Sequence, residues 1–308
     1  MQMSTNTPLP VDHEERLARA RMCLDGLSVG DAFGQQFFYR SMVELAMESR
    51  AIPAEPWRYT DDTVMAISIY EVLAEHGAID QDDLAARFTR RHAEEPGRGY
   101  GINAMEQLEE MERGVPWREV AAKPFGGEGS MGNGSAMRVG PVGAYFADDI
   151  EAASTNAAAS AEVTHAHPDA KAGAIAIALA AAHAWQVRDE ESPSPRDMLE
   201  FVLGRTPDGP TAQGLETATE ISPKSEPADA ARILGNGDKV ICSDTVPFCV
   251  WNAARNLKSF EDAVWSTVRV YGDMDTTCAI VGGIVALSVG RKGIPDDWLV
   301  AREPLNIR

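Results

Sequence analysis

Residues 168–187, PDAKAGAIAIALAAAHAWQV, carry no charged side chain after Lys171. A helix that is apolar on every face cannot lie on a surface, so this one must run through the centre of the molecule with other elements wrapped around it. Pro168 suits the first helical position, where a missing N–H costs nothing. The remaining apolar runs also repeat at helical spacing. They predict helices from His13 to about Val29 and over 61–76, 79–95, 102–114, 148–165, 244–256, 260–271 and 275–290. Gly77 ends the second of these, and Pro96 and Gly97 end the third. Residues 192–197 and 221–229 read as surface connections, and the glycine-rich 123–135 as a loop. No convincing strand alternation and no strand–helix repeat occurs, although short strands could lie within 36–58. The expectation is an all-α protein, a single compact domain of orthogonally packed helices over 12–308, roughly a dozen in number. Residues 1–11 are expected to be disordered.

Composition narrows the function. The 308 residues include 28 basic and 47 acidic ones, a net charge of −19. Such a surface repels nucleic acid and anionic membranes, so neither is an expected partner. A small anion could still be held by inward-pointing backbone N–H groups. Cys23, Cys242, Cys249 and Cys278 form no C-x-x-C pair, which points to free thiols in the cytoplasm. The N-terminus MQMSTNTPLPVDHEE lacks the basic and apolar segments of a signal peptide. No run is long and apolar enough to predict a membrane span.

Two acidic clusters carry the chemistry. Thr60, Asp61 and Asp62 open the apolar run 61–76, and Asp273, Asp275 and Thr276 open the run 275–290. Each could be a helix cap, because Thr and Asp accept hydrogen bonds from a first turn and acids suit the positive end of the dipole. Each also offers more oxygens than a cap needs. Four carboxylates brought together would repel one another, and two divalent cations would neutralise them. A set with oxygens and neither Cys nor His suits Mg²⁺, Mn²⁺ or Ca²⁺ rather than zinc. Capping and metal ligation both stay open on these residues alone. The stretch GEGSMGNGSAMRVGP (127–141) could form a backbone nest for phosphate oxygens. His165 and His167 precede the Pro168 helix as a ligand-contacting or core pair.

The segments GDAFG (30–34), YTDDT (59–63), RGYG (98–101), GNGSAMRVGPVG (132–143), TH (164–165), GDMDTTCAIVGGIVAL (272–287) and IPDDW (294–298), in this order, resemble the ADP-ribosylglycohydrolase family. That family includes dinitrogenase-reductase-activating glycohydrolase. The resemblance implies an all-α hydrolase with two divalent cations, Mg²⁺ or Mn²⁺, that cleaves the glycosidic bond between ADP-ribose and an acceptor. It implies Thr60, Asp61, Asp62, Asp273, Asp275 and Thr276 as metal ligands. It implies Ser130, Gly132, Asn133, Gly134, Ser135 and Met137 as the loop around the diphosphate, and His165 in the ADP-ribose groove. Gly99, Tyr100 and Gly101 would border the distal ribose. Asp61 or Asp62 would also orient or deprotonate the attacking water, although pure ligation is an equal reading of both.

Two positions depart from the family pattern. Tyr271-Gly272-Asp273-Met274-Asp275-Thr276 changes spacers only. Phe38 stands where many members place a glutamate, and the next acid is Glu44. The implied reaction is removal of ADP-ribose from a modified protein, arginine being the favoured acceptor, by a monomer that releases free ADP-ribose. The alternatives are an ADP-ribose-binding module without turnover, a hydrolase of an ADP-ribosylated small molecule, and a structural protein of lens-crystallin type.

Overall fold

The structure, a computed structural model, describes residues 9–38 and 43–308. The disorder expected for 1–11 falls mostly on residues outside that range, as does part of the 36–58 segment. Among the described residues there are eighteen α-helical segments, one 3-10 turn and no strand. Two isolated backbone bridges occur among the described residues, Trp57 with Arg302 and Gly132 with Ile241. Among the described residues no helix is long and apolar enough to cross a membrane.

The run that is free of charge after Lys171 forms the helix Pro168–Gln186, buried along nearly its whole length. It packs against the helices Ile150–Glu162, Gly140–Tyr145, Cys242–Arg255 and Met274–Val289. Its alanines let these neighbours approach closely, and its first turn is capped by His167, whose Nδ1 accepts from Asp169 N at 3.1 Å.

The most extensive helix pair joins His13–Gln35 to Met274–Val289. Gly26, Gly30 and Gly34 recur every fourth residue, so they lie on one face of the first helix. A Cβ on Gly30 would sit 2.1 Å from the Cys278 carbonyl oxygen, and one on Gly34 would sit 2.3 Å from that of Met274. The two backbones therefore touch where side chains would otherwise hold them apart. This contact continues the first helix to Gln35, past the limit near Val29 expected from the sequence. It also brings Asp31 beside the start of the other helix.

Three helices stand where connections were expected or unassigned: Pro195–Leu203, Pro210–Glu220 and Pro227–Leu234. Each opens on proline, which is pre-set for a first turn. A short helical turn, Gly134–Met137, ends the 123–135 loop, and the Pro124–Gly127 turn within it carries left-handed φ at Phe125, Gly126 and Gly127. All four cysteines are free and buried.

Candidate active site

The helix Asp61–His76 begins at Thr60, whose Oγ1 accepts from Asp62 N at 3.4 Å. The other free N–H groups of this first turn are bound elsewhere. Asp61 N donates to Arg98 O at 2.8 Å, and Thr63 N donates to Asp31 Oδ2 at 3.1 Å. The helix Met274–Val289 has Asp273 at its cap position, with no side-chain capping bond at all. Capping thus leaves the Asp61, Asp62 and Asp273 carboxylates unexplained.

Asp31 ties the two clusters together. Its carboxylate accepts from Thr60 N (2.9 Å), Thr60 Oγ1 (2.9 Å), Thr63 N (3.1 Å) and Thr63 Oγ1 (2.5 Å). Carboxylate oxygens of Asp31, Asp62 and Asp275 lie within 4.8 Å of one another. The sequence reading missed Asp31, although it lies in the quoted GDAFG. An acid on an otherwise apolar helix face was the available signal.

On the other side of the cluster, Asp273 Oδ2 accepts from Asn133 Nδ2 at 2.7 Å, and Asn133 also donates to Thr245 Oγ1 at 3.1 Å. Asn133 therefore couples the glycine loop to the acidic centre. Asp273 N donates to Asn236 O at 3.2 Å, which adds the unpredicted Gly235-Asn236-Gly237 turn to the frame. Thr276 is buried, and its N–H bonds Asp275 Oδ1 at 2.9 Å.

A divalent cation fits this donor set. Asp62 Oδ1 is fully buried without a hydrogen-bond partner. None of Asp31, Asp61, Asp62, Asp273 or Asp275 forms an ion pair with Lys or Arg among the described residues. Burial and the neighbouring Asp31 charge push the Asp61 carboxyl up to about 7. Burial also pushes Asp31 up to about 6, against the pull of its four hydrogen bonds, and raises Asp62 and Asp275 well above the usual carboxylate range. Clustered, buried, unpaired carboxylates are what a hard cation needs and what a protein without one tolerates poorly.

A pH effect follows. These acids keep their protons to higher pH in the folded chain than in the unfolded one, so the cation-free fold loses stability as pH rises. The window runs from the ordinary 3.8 through about 7. Chelated protein is expected to melt at progressively lower temperature from pH 4 to pH 8. An added divalent cation should raise the melting temperature more at pH 8 than at pH 5. Differential scanning fluorimetry reads both, and a pH-independent cation effect would count against a cation held by these carboxylates.

The remaining predicted residues surround this centre unevenly. Gly99 lies against it: a Cβ there would be 3.6 Å from Asp61 Oδ1. Tyr100 is buried, with its hydroxyl unpartnered and its ring edge-on to His92 at 4.9 Å. Gly101 caps the helix Ile102–Glu112 and is exposed. Ser130 Oγ accepts from Gly132 N at 3.1 Å and shapes the loop. Ser135 is wholly buried, and its hydroxyl donates to Ala170 O at 2.9 Å, so it fastens the loop to the central helix. Met137 joins the hydrophobic core. His165 is buried against the loop, with Gly132 and Gly134 packed on its ring. Phe38 is 38% exposed, and Glu44 lies on the short helix Val43–Ser49.

A sequence profile described as ADP-ribosylglycohydrolase matches residues 12–306. The chain belongs to the ADP-ribosylglycohydrolase family. Relatives agree along most of their length. The chain is 28% identical to the ADP-ribosylhydrolase ARH3 of Bos taurus, covering 92% of this chain and 88% of that protein. It is 24% identical to the ADP-ribosylarginine hydrolase Tri1 of Pseudomonas putida (strain GB-1), covering 93% and 74%. A solved structure titled ADP-ribosylglycohydrolase-related protein complex superposes with a TM-score of 0.67 at 24% identity, covering 94% of this chain and 93% of that one. That likeness supports the fold. This ADP-ribosylglycohydrolase is thus all-α, as its sequence implies, and its family is one of hydrolases that in general depend on metal.

Proposed function

We propose that this chain is a metal-dependent hydrolase that releases ADP-ribose from a modified protein, with arginine as the favoured acceptor. The observation that carries the proposal is the largely buried, unpaired carboxylate cluster joined through Asn133 to the glycine loop. A cation-binding centre and a phosphate-binding loop held at a fixed separation suit a sugar nucleotide bound across both. Residues 12–308 would act as one monomeric catalytic unit in a reducing, cytoplasmic setting, in keeping with its free cysteines.

Thr60, Asp61, Asp62, Asp273, Asp275 and Thr276 would hold two divalent cations, Mg²⁺ or Mn²⁺. Such cations polarise sugar oxygens and make water acidic enough to react near neutral pH. The loop Ser130–Ser135 with Met137 would seat the diphosphate, His165 would line the groove, and Gly99–Gly101 would wall the distal ribose. Held this way, the anomeric carbon faces a fixed point of attack. Water oxygen bonds to that carbon as the bond to the acceptor nitrogen breaks, through an oxocarbenium-like state. Asp61 or Asp62 orients the water and takes one of its protons, and the departing guanidino nitrogen gains one.

The acceptor preference is supported by the resemblance to a relative named as an ADP-ribosylarginine hydrolase. A panel of peptides carrying ADP-ribose on arginine, serine or a carboxylate tests it, with free ADP-ribose measured by chromatography. Release from the arginine peptide first is expected. Preference for serine would overturn the acceptor, and tight ADP-ribose binding with no release from any peptide would favour a binding module.

A further inference from the structure

Arg138 is wholly buried and takes part in no ion pair among the described residues. An unpaired buried cation is costly, so the bonds it does make are informative. Its guanidinium lies 4.6 Å from the Phe88 ring centroid. Nη2 donates to Ser160 O at 3.0 Å and to Thr164 Oγ1 at 2.8 Å. Burial lowers its pKa to about 9, which still leaves it charged at neutral pH.

The direction of the next bond follows from donor and acceptor inventories. A guanidinium has only donors, so Thr164 Oγ1 accepts from Arg138. The same oxygen lies 2.7 Å from His165 Nδ1. No other hydrogen bond among the described residues uses Thr164 Oγ1, so its own proton is satisfied only when it is donated to His165 Nδ1. An Nδ1 that accepts requires the ring proton on Nε2. Nε2 has no hydrogen-bond partner among the described residues, and it faces the glycine loop. A Cβ on Gly132 would lie 3.1 Å from it, and one on Gly134 would lie 3.0 Å away. Burial and the Arg138 charge push the His165 pKa down to about 3, so the ring is neutral.

We infer that Arg138 and Thr164 are positioning residues that lock His165 as a neutral Nε2–H donor against the glycine loop, set to hold a phosphoryl oxygen of the bound nucleotide. The ligand in this statement rests on the proposed function, whereas the tautomer does not. The opposite tautomer would aim a lone pair at the phosphoryl oxygen. The relay fixes the productive form before ligand arrives, which removes a reorganisation cost from binding.

Long-range ¹H–¹⁵N correlation spectroscopy on ligand-free, ¹⁵N-labelled protein identifies which ring nitrogen carries the proton. His165 is expected as the Nε2–H form from pH 5 to pH 8. Thr164→Ser should keep that form. Thr164→Val should give a mixture of tautomers and bind ADP-ribose about tenfold more weakly by calorimetry, the worth of one net hydrogen bond. Wild-type His165 in the Nδ1–H or doubly protonated form at pH 7 would overturn the relay. So would a Thr164→Val protein that keeps both the Nε2–H form and wild-type affinity. If that variant does not fold, the wild-type spectrum decides alone. An Nε2–H form in a wild type that does not bind ADP-ribose would overturn the phosphoryl assignment and with it the proposed function, while leaving the relay in place.

Discussion

Asp275→Asn is expected to leave the chain folded, lower its bound metal and reduce ADP-ribose release by at least about a thousandfold, since each 1.4 kcal/mol of lost charge stabilisation is a tenfold loss of rate. The substitution preserves size and one acceptor oxygen, so the 2.9 Å bond from Thr276 N can survive. What it removes is charge, at a point where Asp31, Asp62 and Asp275 oxygens converge. A capping role predicts the opposite, because Asn caps a helix about as well as Asp. Activity and metal content measured on the same preparation separate the two. Full activity with unchanged metal would return the cluster to a structural role.

Gly30→Val is expected to damage the fold severely. Its side chain would enter space held by the Cys278 carbonyl, 2.1 Å from the new Cβ, and backbone cannot rotate aside as a flexible side chain can. Overpacking of this kind costs about 3 kcal/mol, at the upper end for core insertions, and would lower the melting temperature on the order of 10 °C. The same displacement separates Asp31 from Asp275, so metal affinity should fall with stability. Scanning calorimetry checks the first effect and titration calorimetry the second. An unchanged melting temperature would show that the two helices are not in backbone contact at this point.

The parts of this molecule that were legible in its sequence are those set by local pattern. The Asp61–His76 helix falls on its predicted limits because Thr60 caps it and Gly77, with φ 67°, turns it off. The central helix is found to within a residue, because an apolar run without charge has one place to go. Where the reading fell short, long-range contacts decide. The first helix runs past its expected limit near Val29 because Gly30 and Gly34 let a second helix lie against it. Pro195 and Pro227 fall in stretches that read as connections and the segment from Pro210 carries no assignment, yet each of the three prolines opens a helix as a first-turn residue. Asp31 lies 29 residues before Thr60, and no spacing rule connects an acid on one helix to hydroxyls at the start of another. The six predicted metal ligands stand at helix starts that local pattern marks, and the frame that holds them does not.

The most direct measurement takes wild-type protein through chelation and reloading while release of ADP-ribose from an arginine-modified peptide is followed. The chelated protein should be folded and inactive. Mg²⁺ or Mn²⁺ should restore release as two cations bind per chain by titration, and zinc should restore little, because the proposed ligand set is built of oxygen alone. Undiminished release after complete chelation would contradict the account, as would a fully metal-loaded protein that releases ADP-ribose from no linkage.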